Sequence, residues 1–174
     1  MADATDGKVL FREEQRFNRG WLFAIMVAGE VIGLGGIAYV LLVLVPADSV
    51  LSPLAKGLIL AASVVAPAVV LGLTFLTNMT TEVREDGLFV RYFPLHRSPR
   101  RIPLEDVTVV EAVTYRPVME YGGWGIRRTR GGKAYNVRGN RGVKLRMGDG
   151  RHLLIGSARP EELAAAIEEL RRRG

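Results

Sequence analysis

Hydrophobic positions fall into two regimes along this chain. Two long runs are apolar at almost every position, and the residues after them alternate in short stretches. The first run, Trp21 to Val45, holds a single charged residue, Glu30. At about 1.5 Å per residue it is long enough to cross a hydrocarbon layer of about 30 Å with some tilt. Pro46 ends it. The second run, residues 55–77, has no charge from Gly57 to Thr77. The link between them is short and holds turn residues, so the two runs predict an antiparallel transmembrane hairpin. A cleaved signal sequence fits poorly. Its apolar region spans about 7–15 residues, whereas this run is longer and a second one comes after it. Pro67 predicts a kink in the second helix.

Ahead of the first run, Val9, Leu10, Phe11 and Phe17 stand among Arg and Glu. That mixture predicts a short interfacial helix leading to Trp21 as an interface anchor. After Asn78 the hydrophobic period becomes two. Glu85-Asp-Gly87 is a turn signal. It precedes a strand with Leu88, Val90 and Tyr92 on one face and Phe89, Arg91 and Phe93 on the other. Residues 101–104 and 107–115 predict two further strands, the second stopped by Pro117. The glycine- and arginine-rich stretch from Met119 to Lys133 predicts a flexible loop, and Ala134 to Val137 a brief strand. Gly142 to Met147 alternates again, with Val143, Leu145 and Met147 inward, and Gly148-Asp-Gly150 turns it into a returning strand. Pro160 opens a final helix with Glu161 and Glu162 at its positive end and Arg171 to Arg173 at its negative end. Leu163, Ala166, Ile167 and Leu170 form its apolar stripe. The expected fold class is α+β. Residues 1–20 are a cytoplasmic lead, 21–77 a two-helix membrane hairpin, and 78–174 a small antiparallel β domain with a C-terminal helix.

Six or seven short antiparallel strands followed by one packing helix is the element order of a pleckstrin-homology-like (PH-like) barrel. The chain also resembles a family of bacterial membrane proteins, of unknown function, that pair two transmembrane helices with a bacterial PH-like domain. Tyr121-Gly-Gly-Trp-Gly-Ile126, Lys133-Ala-Tyr-Asn-Val137, Gly139-Asn-Arg-Gly142 and Ile155-Gly-Ser-Ala-Arg-Pro-Glu-Glu-Leu163 carry that resemblance. It covers nearly all of residues 20–173. It implies an architecture and no activity, because function follows sites rather than folds.

Charge then sets orientation. Arg12, Arg16 and Arg19 precede the first run, only Lys56 lies in the link, and Arg84, Arg91 and many more come after the second. The positive-inside rule puts both termini in the cytoplasm, on the inner face of the cell membrane. Residues 78–174 hold nineteen Lys/Arg against twelve Asp/Glu, so the net basic charge belongs to this half. A basic domain beside a bilayer is drawn to anionic headgroups by about 1 kcal/mol per cation near the surface.

Four features are candidates for function. From Arg127 to Arg151 nine cations face one acid, Asp149. Arg127, Arg128, Arg130 and Lys133 are the expected lipid or partner contacts. The competing reading is a solvated basic face that serves topology alone. Trp124, within Gly122-Gly-Trp-Gly125, either wedges into the interface or a partner, or caps the domain beside a tight turn. Gly29 and Gly33 form a small-xxx-small pair that packs the hairpin on itself or builds a homodimer. Glu30 sits well below the membrane surface, where a charge costs roughly 2.5–3.5 kcal/mol. It either pins the hairpin or a dimer by hydrogen bonding, or serves a proton or ion relay.

Other chemistry finds little support. With no cysteine and two histidines, His96 and His152, in no metal-binding spacing, no metal or cofactor is expected. Gly132-Lys133 lacks the rest of a P-loop, and there is no GxGxxG. No nucleophile elbow or histidine relay is present, so no enzyme is expected and no catalytic residue is assigned. Nucleic acid is not an expected partner, since the strands lack paired base-stacking aromatics. The leading expectation is a membrane-anchored interaction module that presents a PH-like domain at the cytoplasmic surface to anionic lipid or a protein partner. The alternative is a small transport or channel-like subunit using Glu30 in an oligomeric bundle.

Overall fold

In a computed structural model the chain is described over residues 8–17, 20–45 and 51–173. The link at 46–50 and the side chain of Trp21 lie outside the described residues. The molecule is α+β and divides into two units, residues 18–76 and a second unit made of residues 1–17 with 77–174.

The first unit is the apolar one. Helix α1 (Trp21–Tyr39) continues into a π-helical turn (Val40–Leu44), and helix α2 (Pro53–Leu76) runs unbroken through Pro67. Ala24–Leu44 and Pro53–Leu76 are each long and apolar enough to cross a membrane. Their large side chains stay open. Ile32, Leu42 and Leu54 are all more than 70% exposed. The core helix of a soluble protein would bury such a face.

The second unit departs from expectation at its start. Residues 9–16 are strand β1 (Val9–Arg16), not an interfacial helix. β1 pairs antiparallel with β2 (Asn78–Arg84), so the apolar hairpin is an insert between two neighbouring strands. The pairing carries on to the insertion point, where Phe17 N–H donates to the Thr77 carbonyl at 3.3 Å. The basic domain therefore includes residues from before the hairpin as well as after it.

β3 (Gly87–Phe93) and the three-residue β4 (Arg100–Ile102) complete a four-stranded sheet in the order β1-β2-β3-β4. A second sheet is formed by β5 (Val107–Thr114), β6 (Gly125–Thr129), β7 (Gly132–Asn136), β8 (Arg141–Met147) and β9 (His152–Gly156), in the order β5-β8-β9-β7-β6. A short helix, α3 (Pro117–Tyr121), comes after β5. The expected closed barrel does not form, because β4 ends after three residues and makes no ladder with β5. Nor is every pairing antiparallel, since β7 and β9 run parallel.

Helix α4 (Pro160–Arg173) packs against β1, β2, β5 and β8. Leu163 and Ile167 are fully buried on it and join Met79, Leu88, Leu145 and Ile155 in one core. Each such side chain contributes about 1.5–3 kcal/mol by leaving water. A buried polar cluster ties β1 across this core. The Glu13 carboxylate accepts from Ser157 Oγ, from Ala158 N–H at 2.8 Å and from Gln15 Nε2 at 3.1 Å. Gln15 Nε2 also donates to the Gly156 carbonyl at 2.9 Å.

Candidate functional site

The stretch read as a flexible loop starts in α3 and continues, from Gly125, as a β-hairpin. β6 and β7 pair with Arg128 opposite Lys133 and Thr129 opposite Gly132, and the chain turns at Arg130-Gly131. β7 then lies parallel to β9, with Gly132 beside His152. The two backbones come so close that a Cβ at Gly132 would stand 2.0 Å from the His152 carbonyl oxygen. Glycine is required there. At Gly131 the missing side chain leaves room for the imidazole, whose Cε1 would be 3.1 Å from a Cβ.

This pairing builds a cavity of about 530 Å³, within the usual range for small-ligand sites. Arg128, Arg130, Lys133, Arg151 and His152 line it, against a single acid, Asp106. Tyr135, Met147, Leu153 and Ile102 give it apolar surface. Three of the four cations expected to bind therefore converge, joined by two residues that the sequence did not single out. Arg127 is not among the lining residues. It points the other way from Arg128, as alternation along β6 requires, and its Nε donates to the Trp124 carbonyl at 2.9 Å. Trp124 is half-buried, and its indole N–H donates to the Gly139 carbonyl at 3.0 Å.

The basic side chains of this domain divide into those held by a carboxylate and those without one. Arg84 is held by Glu82, Arg141 by Glu161 and Arg171 by Glu168. Within the cavity Arg151 is held by Asp149. Arg128, Arg130 and Lys133 have no carboxylate within 4.0 Å among the described residues. Lys133 Nζ instead lies 4.4 Å from the Tyr135 ring centroid and donates to its hydroxyl. Concave sites lined by one sign of charge concentrate the field and favour an incoming anion.

One imidazole, His152, lines this cavity and a second, His96, packs on its Tyr135, and both are held below the ordinary histidine range. His152 sits 3.2 Å from the Tyr121 hydroxyl. Burial lowers its pKa, the Lys144 and Arg146 cations add to that, and Glu120 opposes it. His96 is only 7% exposed, packs edge-on to Tyr135 at 5.9 Å, and has an unpartnered Nδ1 among the described residues. Its pKa is lowered by burial first, then by Arg100 and Lys133. The consequence for stability has a definite sign. Above about pH 6.5 both folded and unfolded chains carry neutral imidazoles. As pH falls below that, the unfolded chain takes up protons that the folded chain refuses, so stability decreases until the lowered pKa values are reached. The melting temperature of the full chain in detergent is expected to drop between pH 7.5 and 5.5. His96→Gln should flatten the drop. An unchanged slope in that variant would remove His96 from the account.

The hairpin candidates belong to the first unit. Glu30 is half-buried, and its carboxylate forms no ion pair or hydrogen bond among the described residues. A Cβ at Gly29 or Gly33 would meet nothing within 4 Å, so the expected close approach of α1 to α2 is not made through this pair.

A family model described as a family of unknown function (DUF6141) matches residues 3–170 of the chain. No curated protein matches it.

Proposed function

The chain belongs to that family of unknown function (DUF6141), and we propose that it is a non-catalytic, membrane-anchored module whose cavity binds an anionic group at the cytoplasmic surface. The group is carried by a lipid headgroup or by a protein partner. One observation carries the reading. Arg128, Arg130 and Lys133 line a cavity of headgroup size and lack the carboxylate partners that hold most other arginines of the domain.

The membrane assignment rests on two apolar helices with open side chains. It also rests on the ladder at the insertion point. Because Phe17 and Thr77 are hydrogen-bonded, a two-span insert must leave and return on one side of the bilayer. Arg12, Arg16, Arg84 and Arg91 flank the spans while Lys56 is the only cation of the link, which favours the cytoplasmic side for the domain. Two strand-rich sheets with a C-terminal helix packed on them support a PH-like fold, opened between β4 and β5.

The test uses the full chain in neutral detergent, titrated calorimetrically with a short-chain phosphatidylglycerol and with its phosphatidylcholine counterpart. The anionic lipid is expected to bind and the zwitterionic one not. The triple variant Arg128→Gln, Arg130→Gln, Lys133→Gln should lose about 100-fold, at about 1 kcal/mol per cation. Arg138→Gln, an exposed cation outside the cavity, should bind normally. A loss from Arg138→Gln of about 5-fold, equal per charge to that of the triple variant, would trace the attraction to net charge and remove the cavity from the account. If the lipid does not bind, a photo-cross-linker at position 130 in native membranes should capture an acidic protein segment.

A further inference from the structure

The cavity leaves Arg127 and Trp124 unused, and the strand register shows where they belong. The chain enters and leaves the apolar insert at Phe17 and Thr77. In the next register pair Asn78 faces Phe93, and Met79 faces Tyr92. Pro94 and Leu95 come directly after. From Thr77 to Leu95 is thus one ladder step and three chain steps, at most about 17 Å.

At this end of the sheet Leu95 is 69% exposed, while its neighbour His96 is tucked in with its N–H donating to the Tyr92 carbonyl at 2.7 Å. The tether turns Leu95 outward. Arg97, beside it, is exposed and has no carboxylate partner among the described residues. β6 reaches the same place. Arg127 Nε and the Tyr92 hydroxyl both lie within 4 Å of the point where a side chain at Gly125 would begin. Arg127 in turn holds the carbonyl of Trp124, whose ring is half-open.

An outward leucine, a half-open tryptophan and two unpaired arginines at the point where the chain joins its membrane spans match the chemistry of a bilayer interface. Indole favours the headgroup level, arginine the phosphates, and leucine the upper acyl region. We infer that the 94–97 loop and the Trp124–Arg127 segment form a second contact, distinct from the cavity, that seats the domain on the bilayer its own helices cross. The inference rests on the membrane half of the proposed function and not on the cavity.

Because the chain has no cysteine, single positions can be labelled cleanly. The full chain carries an environment-sensitive fluorophore at Leu95→Cys, at Asp86→Cys, or at Val65→Cys. Asp86 lies in the turn at the far end of β2, about 20 Å along the strand, and Val65 lies within α2. Each is reconstituted in phosphatidylcholine vesicles with about one-third phosphatidylglycerol, doped with nitroxide lipids at headgroup or deep acyl level. The expected result is deep quenching at 65, shallow quenching at 95 and little at 86. Adding Arg97→Gln and Arg127→Gln should lower quenching at 95, with the docked-to-free ratio falling roughly 30-fold. Quenching at 65 without quenching at 95, or equal quenching at 86 and 95, overturns the inference and leaves the membrane reading standing. No quenching at 65 overturns both.

Discussion

Residues 78–174, cut away from the rest of the chain, are expected to be unfolded. Joining residues 8–17 to 77–173 through a short Gly-Ser linker is expected to restore a folded, soluble domain. The reason is β1. Without it β2 becomes an edge paired only to β3, and its backbone groups that faced β1 lose their partners in a strand buried on both faces. Phe11 leaves the core, at about 2–3 kcal/mol. Ser157 Oγ and Ala158 N–H lose the Glu13 carboxylate, and the Gly156 carbonyl loses Gln15. At roughly 1 kcal/mol or more for each buried bond, the sum approaches the whole stability of a small domain, about 5–15 kcal/mol. The linker needs few residues because Phe17 N and Thr77 O are 3.3 Å apart, a span that two- to five-residue hairpin loops routinely close. Far-UV circular dichroism and amide-proton dispersion separate the outcomes. A fragment as well folded as the linked chain would make β1 dispensable, and the insertion of the hairpin into the domain would lose its structural meaning.

The same strand shows where sequence reading stops. The spans, the alternating β3 and β8 and the amphipathic α4 are visible because their inward positions are apolar and near one another in the chain. β1 alternates too, but two of its three buried positions are Glu13 and Gln15. Its inward face therefore looks polar, and Val9, Leu10, Phe11 and Phe17 resemble an interfacial helix instead. Its partner also lies beyond the whole apolar hairpin, so no local turn signal announces the pairing. β6 is hidden differently, because glycine and arginine at most of its positions read as loop. The cations Arg128, Arg130 and Lys133 could be named from composition. Their convergence with Arg151 and His152 could not, since it depends on the parallel pairing of β7 with β9, a contact that alternation does not encode.

That parallel pairing carries the other large effect. Gly132→Ala places a methyl carbon 2.0 Å from the His152 carbonyl oxygen and 2.8 Å from its carbon. Both neighbours are backbone, so no side chain can swing aside, and the two strands must part. Forced overpacking of this kind costs about 3 kcal/mol. In a domain of this size that lowers the melting temperature by about 10–20 °C. Gly139→Ala is the matched control. Gly139 has φ +69° with nothing within 4 Å of a Cβ, so it costs only the left-handed strain, about 1 kcal/mol. Parting β7 from β9 also draws Arg128, Arg130 and Lys133 away from Arg151 and His152. Gly132→Ala should therefore weaken anion binding even at temperatures where the domain remains folded, whereas Gly139→Ala should not. Thermal melts followed by tryptophan fluorescence, with the phosphatidylglycerol titration repeated on each variant, decide it. Equal melting temperatures in the two variants would mean that the β7–β9 contact yields without cost. The cavity would then be a soft feature of the surface rather than a site held by its strands.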